Sequence, residues 1–407
     1  MKFAVLSHVL PPSSSGQAMV LHRLLKDLDP ESYCLISQRD YRTGIGKSYT
    51  ARLPGRYHKI LTEFQFRDRI GFLHRFLSPQ SSAIRLIDTI IAFFWIFFRA
   101  LQIARILHEE KCDAIVACTA DLINLPAGYL ASRLVDVSFH PYIFDYYSYQ
   151  WTDPFARFFG RLFEPIILKG ATSVIVPNES LCRELNEKYG VVSNVVHNPY
   201  DGPRAEVQLP WPLIEGEISI VYTGAIYYVH YDAFRNLVAA IERLGRKDLY
   251  LHIYTGDSHS MLQSKGIKGP VKYHDHLELS ESLMVQKHAD ILFLPLAFGS
   301  DNPEIVKTSS PGKMGEYLVS GRPILVHAPA DSFVSGYFKQ HGCGVVVDEE
   351  NVDLLASAIQ GIIEQNELRS IMVARAFRCA KDDFDLPSIQ KKFWNILGID
   401  NSKTPLP

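Results

Sequence analysis

The sequence predicts an α/β protein of two tandem Rossmann-like domains. Short apolar runs rich in Val, Ile and Tyr alternate with helical patterns along nearly all of the 407 residues, the alternation that builds parallel sheets covered by helices. The length exceeds one ordinary core and suits two domains of roughly 150–200 residues. The strand series also restarts after DGPRAEVQLPWPLIEGE (201–217), whose prolines and polar filler mark a linker or a domain start.

The first series consists of FAVLS (3–7), YCLIS (33–37), AIVAC (114–118), YIFD (142–145), SVIV (173–176) and NVVH (194–197). Each is short and apolar, as a strand buried on both faces should be. The second consists of ISIVY (218–222), LYLHIY (249–254), ILFLP (291–295), PILVH (323–327) and GVVV (344–347). The domains are therefore placed at 1–200 and 201–385, and no internal repeat is visible.

One stretch fits neither series. From Ile84 to Leu107 the chain is strongly apolar, and Ile90 to Phe98 runs without a polar residue. That run is short of the ~20 residues a bilayer demands, so no crossing is expected. Upstream, HKILTEFQFRDRIGFLHRFL (58–77) mixes aromatics with Lys, Arg and His as an interfacial helix does. Two readings of 58–107 stand side by side: helices packed on the sheet, or peripheral contact with a membrane surface.

Composition narrows the function classes. Hydrophobic residues make up 47% and charged residues 21% of the chain, which suits a folded core. With a net charge of −2 there is no global field to gather nucleic acid, and no nucleic-acid motif is present. Six cysteines without a C-x-x-C pair favour a reducing compartment, and MKFAVLSHVLPP is too broken by polar residues and prolines for a signal-peptide core. A cytoplasmic protein is expected, with the inner face of the membrane as its place if the aromatic stretch docks there.

Two glycine turns follow strands that open a domain. After FAVLS, the loop HVLPPSSSG leads into a helical pattern, and Gly16 would let a ligand approach the backbone. After ISIVY, Gly224 holds the corresponding place, and Gly256 closes the next strand. Neither loop has the G-x-G-x-x-G spacing, and single glycines also serve as plain turn residues.

The most informative stretch is SSPGKMGEYLVSGRPIL (309–325). Ser310 reads as an N-cap, Pro311 as the first helical residue and Gly321 as the stop, which predicts a helix over 311–320. Its start would offer free N–H groups, the hydroxyls of Thr308, Ser309 and Ser310, and the Lys313 ammonium to a phosphate. Glu316, one turn in, would accept hydrogen bonds from the vicinal hydroxyls of a ribose. The alternative is a capped helix with Lys313 and Glu316 as a solvated i, i+3 pair.

This stretch, preceded by HADILFLPL and followed by GCGVVVDEENVDLLASAIQGII, resembles the donor-binding half of GT-B glycosyltransferases of the large retaining family 4. PPSSSG resembles that family's N-terminal glycine loop, and KGATSVIVPNESLCRELNEKYG with VVHNPYD resembles its approach to the interdomain linker. The resemblance implies two Rossmann-like domains facing a cleft, and transfer of a sugar with retention from a UDP- or GDP-type donor to a glycan or lipid-linked acceptor. It also implies a C-terminal helix (386–400) returning to the first domain, and no metal or other cofactor. Glu316 matches the second Glu of the family's E-x7-E element, the ribose ligand, while Thr308 stands where the first Glu is usual. The basic residues usual after the Gly224 strand are missing, which leaves Lys313 as the phosphate cation. Asp145 stands where many relatives carry a His-Asp pair, facing either an acceptor hydroxyl, the donor sugar or its own turn. With Gly16 it forms the expected catalytic side.

Other signals are set aside. His274-Asp275-His276 lacks further ligands at metal spacing and reads as a loop entering the base pocket. Asp27/Asp29 and Asp383/Asp385 read as loop or helix-end carboxylates. A sugar-nucleotide 2-epimerase on the same fold and a non-catalytic nucleotide-sugar-binding protein remain as rival functions, the latter because of Thr308 and the missing basic residues.

Overall fold

The computed structural model describes residues 1–13, 15–41, 51–61, 82–201 and 216–399, side chains of 82–89 excepted. The chain forms two compact units, Met1–Val196 with the segment from Gln390, and His197–Ile389.

In the first unit seven strands form one parallel sheet: β1 (Phe3–Leu6), β2 (Tyr33–Ser37), β3 (Arg56–Lys59), β4 (Ala114–Cys118), β5 (Ser138–Tyr142), β6 (Val174–Val176) and β7 (Ser193–Val195). Their order is β3-β2-β1-β4-β5-β6-β7. The central strands β1, β2 and β4 are buried along their whole length, which requires cover on both faces. The connecting helices are α1 (Gly16–Leu25), α2 (Ser82–Glu109), α3 (Asn124–Val135), α4 (Pro154–Lys169) and α5 (Glu179–Tyr189).

The second unit repeats the arrangement with β8 (Ile218–Thr223), β9 (Leu249–Tyr254), β10 (Val271–His274), β11 (Ile291–Pro295), β12 (Ile324–His327) and β13 (Val345–Val347). The order is β10-β9-β8-β11-β12-β13, again parallel throughout. Its helices are α6 (Tyr231–Leu244), α7 (His259–Ser264), α8 (Leu279–Lys287), α9 (Pro303–Thr308), α10 (Met314–Leu318), α11 (Phe333–His341), α12 (Val352–Glu364) and α13 (Asn366–Asp383). Tyr222, Phe234 and Phe293 form edge-to-face ring contacts in its core, with centroids 4.9 and 5.4 Å apart. In both sheets the order reverses beside the first strand, so each has a switch point at its carboxyl end: β1/β4 and β8/β11.

The last helix, α14 (Leu386–Ile396), seals the first unit from Gln390 onward. Gln390 Nε2 donates to Arg23 O and Asp27 Oδ2, both at 2.7 Å, and Trp394 Nε1 donates to Leu24 O at 2.9 Å.

Several sequence expectations need correction. The strand expected at 142–145 lies at Ser138–Tyr142, because SFHPY carries a His and a Pro that hide it from apolar counting. β3 (RYHK) and β10 (VKYH) were missed, and both are sheet edges. An edge strand has one open side and is not buried on both faces, so it keeps polar residues. The proposed interfacial helix of 58–77 begins inside β3, and its residues 62–77 lie outside the described residues. So do 202–215 of the expected linker.

Segment 84–107 belongs to the 28-residue helix α2. By length and composition Ile90–Glu109 would pass for a membrane span, with a mean hydropathy of 1.8. The apolar run Ile90–Phe98 ends at Arg99, yet Arg99 is buried, and its Nη1 donates to Asp121 Oδ1 (2.8 Å) and Asn124 Oδ1 (2.9 Å). Ala92, Ile96, Ala100, Ile103 and Leu107 are buried with it, the spacing of one helix face. That face packs on α3. Five of the six cysteines are buried free thiols, and Cys34 Sγ lies 3.8 Å from Cys112 Sγ.

Candidate functional site

In the second unit β8 ends in Tyr222-Thr223, and Gly224 follows with φ +120°. That backbone conformation is nearly closed to residues with a Cβ. A Cβ there would also sit 3.1 Å from Lys313 Nζ. The ammonium lies 3.6 Å from the Tyr222 ring centroid, in cation–π contact. Although Lys313 as a whole is half-buried, its ammonium is enclosed by protein atoms, and desolvation pulls its pKa down to about 7. The Glu316 carboxylate acts in the opposite sense. Burial also pushes the neighbouring His230 down to about 3, with the Lys313 charge adding to the effect, so that ring is neutral.

Glu316 is 6% exposed. Gln286, from α8, donates its Nε2 to Thr223 Oγ1 (3.0 Å) and to Glu316 Oε2 (3.4 Å), which ties the carboxylate to the end of β8. Gln286 Oε1 is buried without a hydrogen-bond partner among the described residues. Beside these two side chains opens a cavity of about 230 Å³, walled chiefly by Leu283, Met284, Val319 and Tyr200. It is apolar with a few polar groups at one end, the usual make-up of a small-molecule site. Asp257 Oδ2 accepts from Ile226 N (2.6 Å) and Thr255 Oγ1 (2.9 Å), pinning the Gly224 loop. Asp232 Oδ2 accepts from Phe298 N and Gly299 N, holding the loop after β11.

The helix expected over 311–320 is shorter, Met314–Leu318, with Lys313 at its cap position and no side-chain cap. Ser310 is therefore not the N-cap. Its carbonyl accepts from Asn198 Nδ2 (2.9 Å), and Met314 N turns back to Pro311 O instead (3.0 Å). Five residues carry little macrodipole, so the expectation of an anion held by this helix start loses its dipole argument. Gly315 is required by packing, since a Cβ would lie 3.1 Å from Tyr200 Cβ.

The structure thus brings Gly224, Lys313 and Glu316 together. Ser309 caps α9 and is half-buried, and the Ser310 hydroxyl is buried without a hydrogen-bond partner among the described residues. Thr308 is buried and donates its Oγ1 to Glu304 O (2.8 Å). Gly256 sits beside His276, one residue before the Asp257 that pins the Gly224 loop. His274 is a strand residue of β10, stacked on Tyr254 at 4.2 Å and within 3.1 Å of His252, so it is no pocket loop; only Asp275 and His276 follow the strand. Asp29 caps a turn and Asp385 accepts from Ser388, as loop carboxylates do.

In the first unit Gly16 is the exposed first residue of α1, after the N-cap Ser15, and not a loop residue as expected. A Cβ there would meet nothing within 4 Å. Gln17 Nε2 donates to Ser7 Oγ (2.9 Å) and Thr119 O (3.3 Å), and Thr119 Oγ1 accepts from Phe144 N and Asp145 N. This network joins the Gly16 turn to exposed Asp145 across the carboxyl ends of β1 and β4. Beside it His8, Arg39, Asp121 and Arg99 form a charged cluster. Burial lowers the His8 pKa, Asp121 opposes that shift, and Arg39 and Arg99 reinforce it.

Sequence reasoning missed Gln286, Thr223 and the charged cluster. Gln286 lies on a helix whose pattern carries no motif; only its position three residues before Ala289-Asp290, at the start of a buried strand, could have suggested it.

Residues 217–365 match the family described as "Glycosyl transferases group 1". No curated protein matches the sequence. Among solved structures, the chain is similar to sucrose-phosphate synthase from Thermosynechococcus elongatus (TM-score 0.66, 12% identity, 98% of each chain covered). HepE of Anabaena, solved in complex with UDP, gives a TM-score of 0.65 at 13% identity, covering 98% of this chain and 100% of that one. A glycosyltransferase from Rickettsia africae gives 0.64 at 14%, again over 98% and 100%. At these identities the likeness establishes the fold. The chain has the GT-B fold, and the part of it that holds Gly224, Lys313 and Glu316 matches the glycosyl transferases group 1 family.

Proposed function

We propose that this protein is a glycosyltransferase that moves a sugar from a nucleotide-diphosphate donor to a glycan or lipid-linked acceptor with retention at the anomeric carbon. The observation that carries the reading is the meeting of Lys313, Gly224 and Glu316 at the switch-point end of β8, beside a cavity of about 230 Å³. Lys313 and the Gly224 backbone hold the diphosphate; Glu316, oriented by Gln286, accepts from the ribose hydroxyls; the base occupies the apolar cavity. UDP is favoured as the nucleotide because HepE was solved with UDP and an E. coli structure of the same fold with UDP-2-fluoro glucose. GDP is the competing nucleotide.

In the transfer step the bond from the anomeric carbon to the β-phosphate oxygen breaks, and its electron pair leaves with the diphosphate. The acceptor oxygen bonds to that carbon and passes its proton to the departing β-phosphate oxygen. Lys313 offsets the charge gathering on the leaving group, and no metal takes part in this reading. Asp145, beside the Gly16 turn, binds the acceptor hydroxyl or the donor sugar.

Thr308 favours a second reading. Where the resemblance leads one to expect Glu, this chain has a hydroxyl engaged with Glu304 O, which suits a protein that binds a nucleotide sugar without turning it over. Titration with UDP, GDP and their sugars, followed by product analysis, separates the readings. Transfer or slow release of free nucleotide diphosphate supports the first, binding alone supports the second, and an epimeric sugar nucleotide points to an epimerase. Unchanged nucleotide affinity in Glu316→Gln would overturn the ribose assignment.

A further inference from the structure

The outer faces of α2 and α4 carry an apolar surface that donor chemistry does not use. Ile90, Phe93, Phe94, Phe97 and Leu101 on α2, with Phe158, Leu162 and Ile166 on α4, are each between 43% and 61% exposed. Their spacing follows one stripe on each helix. The two stripes join, since the Phe93 ring lies 5.5 Å from Phe163 and 6.1 Å from Phe159. With about 150–250 Å² for a large side chain, half of each gives on the order of 800 Å². That exceeds the roughly 300–600 Å² of the largest patch on an ordinary monomer.

Across the apolar stretch itself the described charges have one sign; farther along α2, exposed Glu109 is paired with Arg105 Nε at 2.7 Å. From Ile90 to Leu101 the only ionisable residue is Arg99, which is buried on the opposite side. Along α4 the exposed ionisable residues are Arg161 and Lys169, interleaved with the apolar ones. The single acid of that helix, Glu164, is buried and accepts from Ser148 N and Tyr189 OH. Two copies of this face would bring the same cations against each other, whereas an anionic lipid surface takes both the rings and the cations. We propose that the joined faces of α2 and α4 are a docking surface for an anionic lipid bilayer, with the aromatic rings at the acyl boundary and Arg161 and Lys169 at the headgroups. This stands independently of the donor site.

The test is flotation of the full chain with vesicles of phosphatidylcholine alone and of phosphatidylcholine mixed with phosphatidylglycerol. Binding is expected to the mixed vesicles and to weaken with salt. Phe94→Ser with Phe97→Ser should lower partitioning by at least about tenfold, and Arg161→Gln or Lys169→Gln by roughly fivefold each. Ile371→Ser, at an exposed residue of the second unit, should leave binding unchanged, and matching thermal melts should show that every variant folds. No flotation with either vesicle, equal binding to both, or binding indifferent to the α2 and α4 variants would overturn the proposal. A dimer in light scattering that Phe94→Ser dissociates would overturn it in favour of a second copy of the chain.

Discussion

The buried ammonium of Lys313 should make nucleotide-sugar binding take up a proton. Its pKa of about 7 is set by desolvation against the Tyr222 ring and the Gly224 backbone. A diphosphate diester in contact would restore the charged form, and the diester itself does not titrate near neutrality. At pH 6 the lysine is already charged in the free protein, and binding costs nothing extra. At pH 8 only about one molecule in eleven is charged, so affinity should be about tenfold weaker, or ~1.4 kcal/mol. Each further pH unit should remove about another factor of ten, until the pH reaches the pKa in the complex. Calorimetry with UDP-glucose at pH 8, in buffers of different ionisation enthalpy, should report close to one proton taken up. Lys313→Met should abolish both the uptake and the slope while weakening binding at pH 6. Folding stability should move the other way. The folded pKa lies below the unfolded value of 10.5, so the unfolded chain binds more protons between pH 7 and 10.5. Stability contributed through this group therefore rises with pH across that window. Affinity constant from pH 6 to 9 with no proton exchange would refute the account, as would a Lys313→Met variant that binds like the parent.

Other expected outcomes concern the same scaffold. Gly224→Ala forces a Cβ into positive φ and against Lys313, and should cost about 1–3 kcal/mol of stability by urea denaturation, together with donor affinity; an unchanged midpoint would count against the strained turn. Gln286→Leu removes the tether between Thr223 and Glu316, so nucleotide affinity should fall roughly tenfold, and a parent-like Kd would show that Glu316 orients itself. Asp121→Ala removes the carboxylate paired with buried Arg99, which should cost about 3–5 kcal/mol in chemical denaturation; a loss below about 1 kcal/mol would mean that the other groups around the guanidinium, Asn124 among them, satisfy it.

The sequence by itself determined the elements whose energetics are local. Interior strands such as AIVAC and ILFLP must be apolar on both faces, so composition alone marks them. Gly224 was legible for a related reason: a glycine directly after a domain's first strand is a backbone requirement visible in one letter. Tertiary structure decided what depends on partners distant in the chain. Arg99 reads as a break in an apolar run until Asp121 and Asn124 fold around it, which leaves the aromatic side of the same helix facing outward. Ser310 looks like a cap until Asn198 takes its carbonyl. Gln286 belongs to no motif, because its place between Thr223 and Glu316 comes from the packing of α8 beside β8. The hydrogen-bonding capacity of a side chain is written in its type, but which groups it meets is settled only when the sheet brings them within about 3 Å of one another.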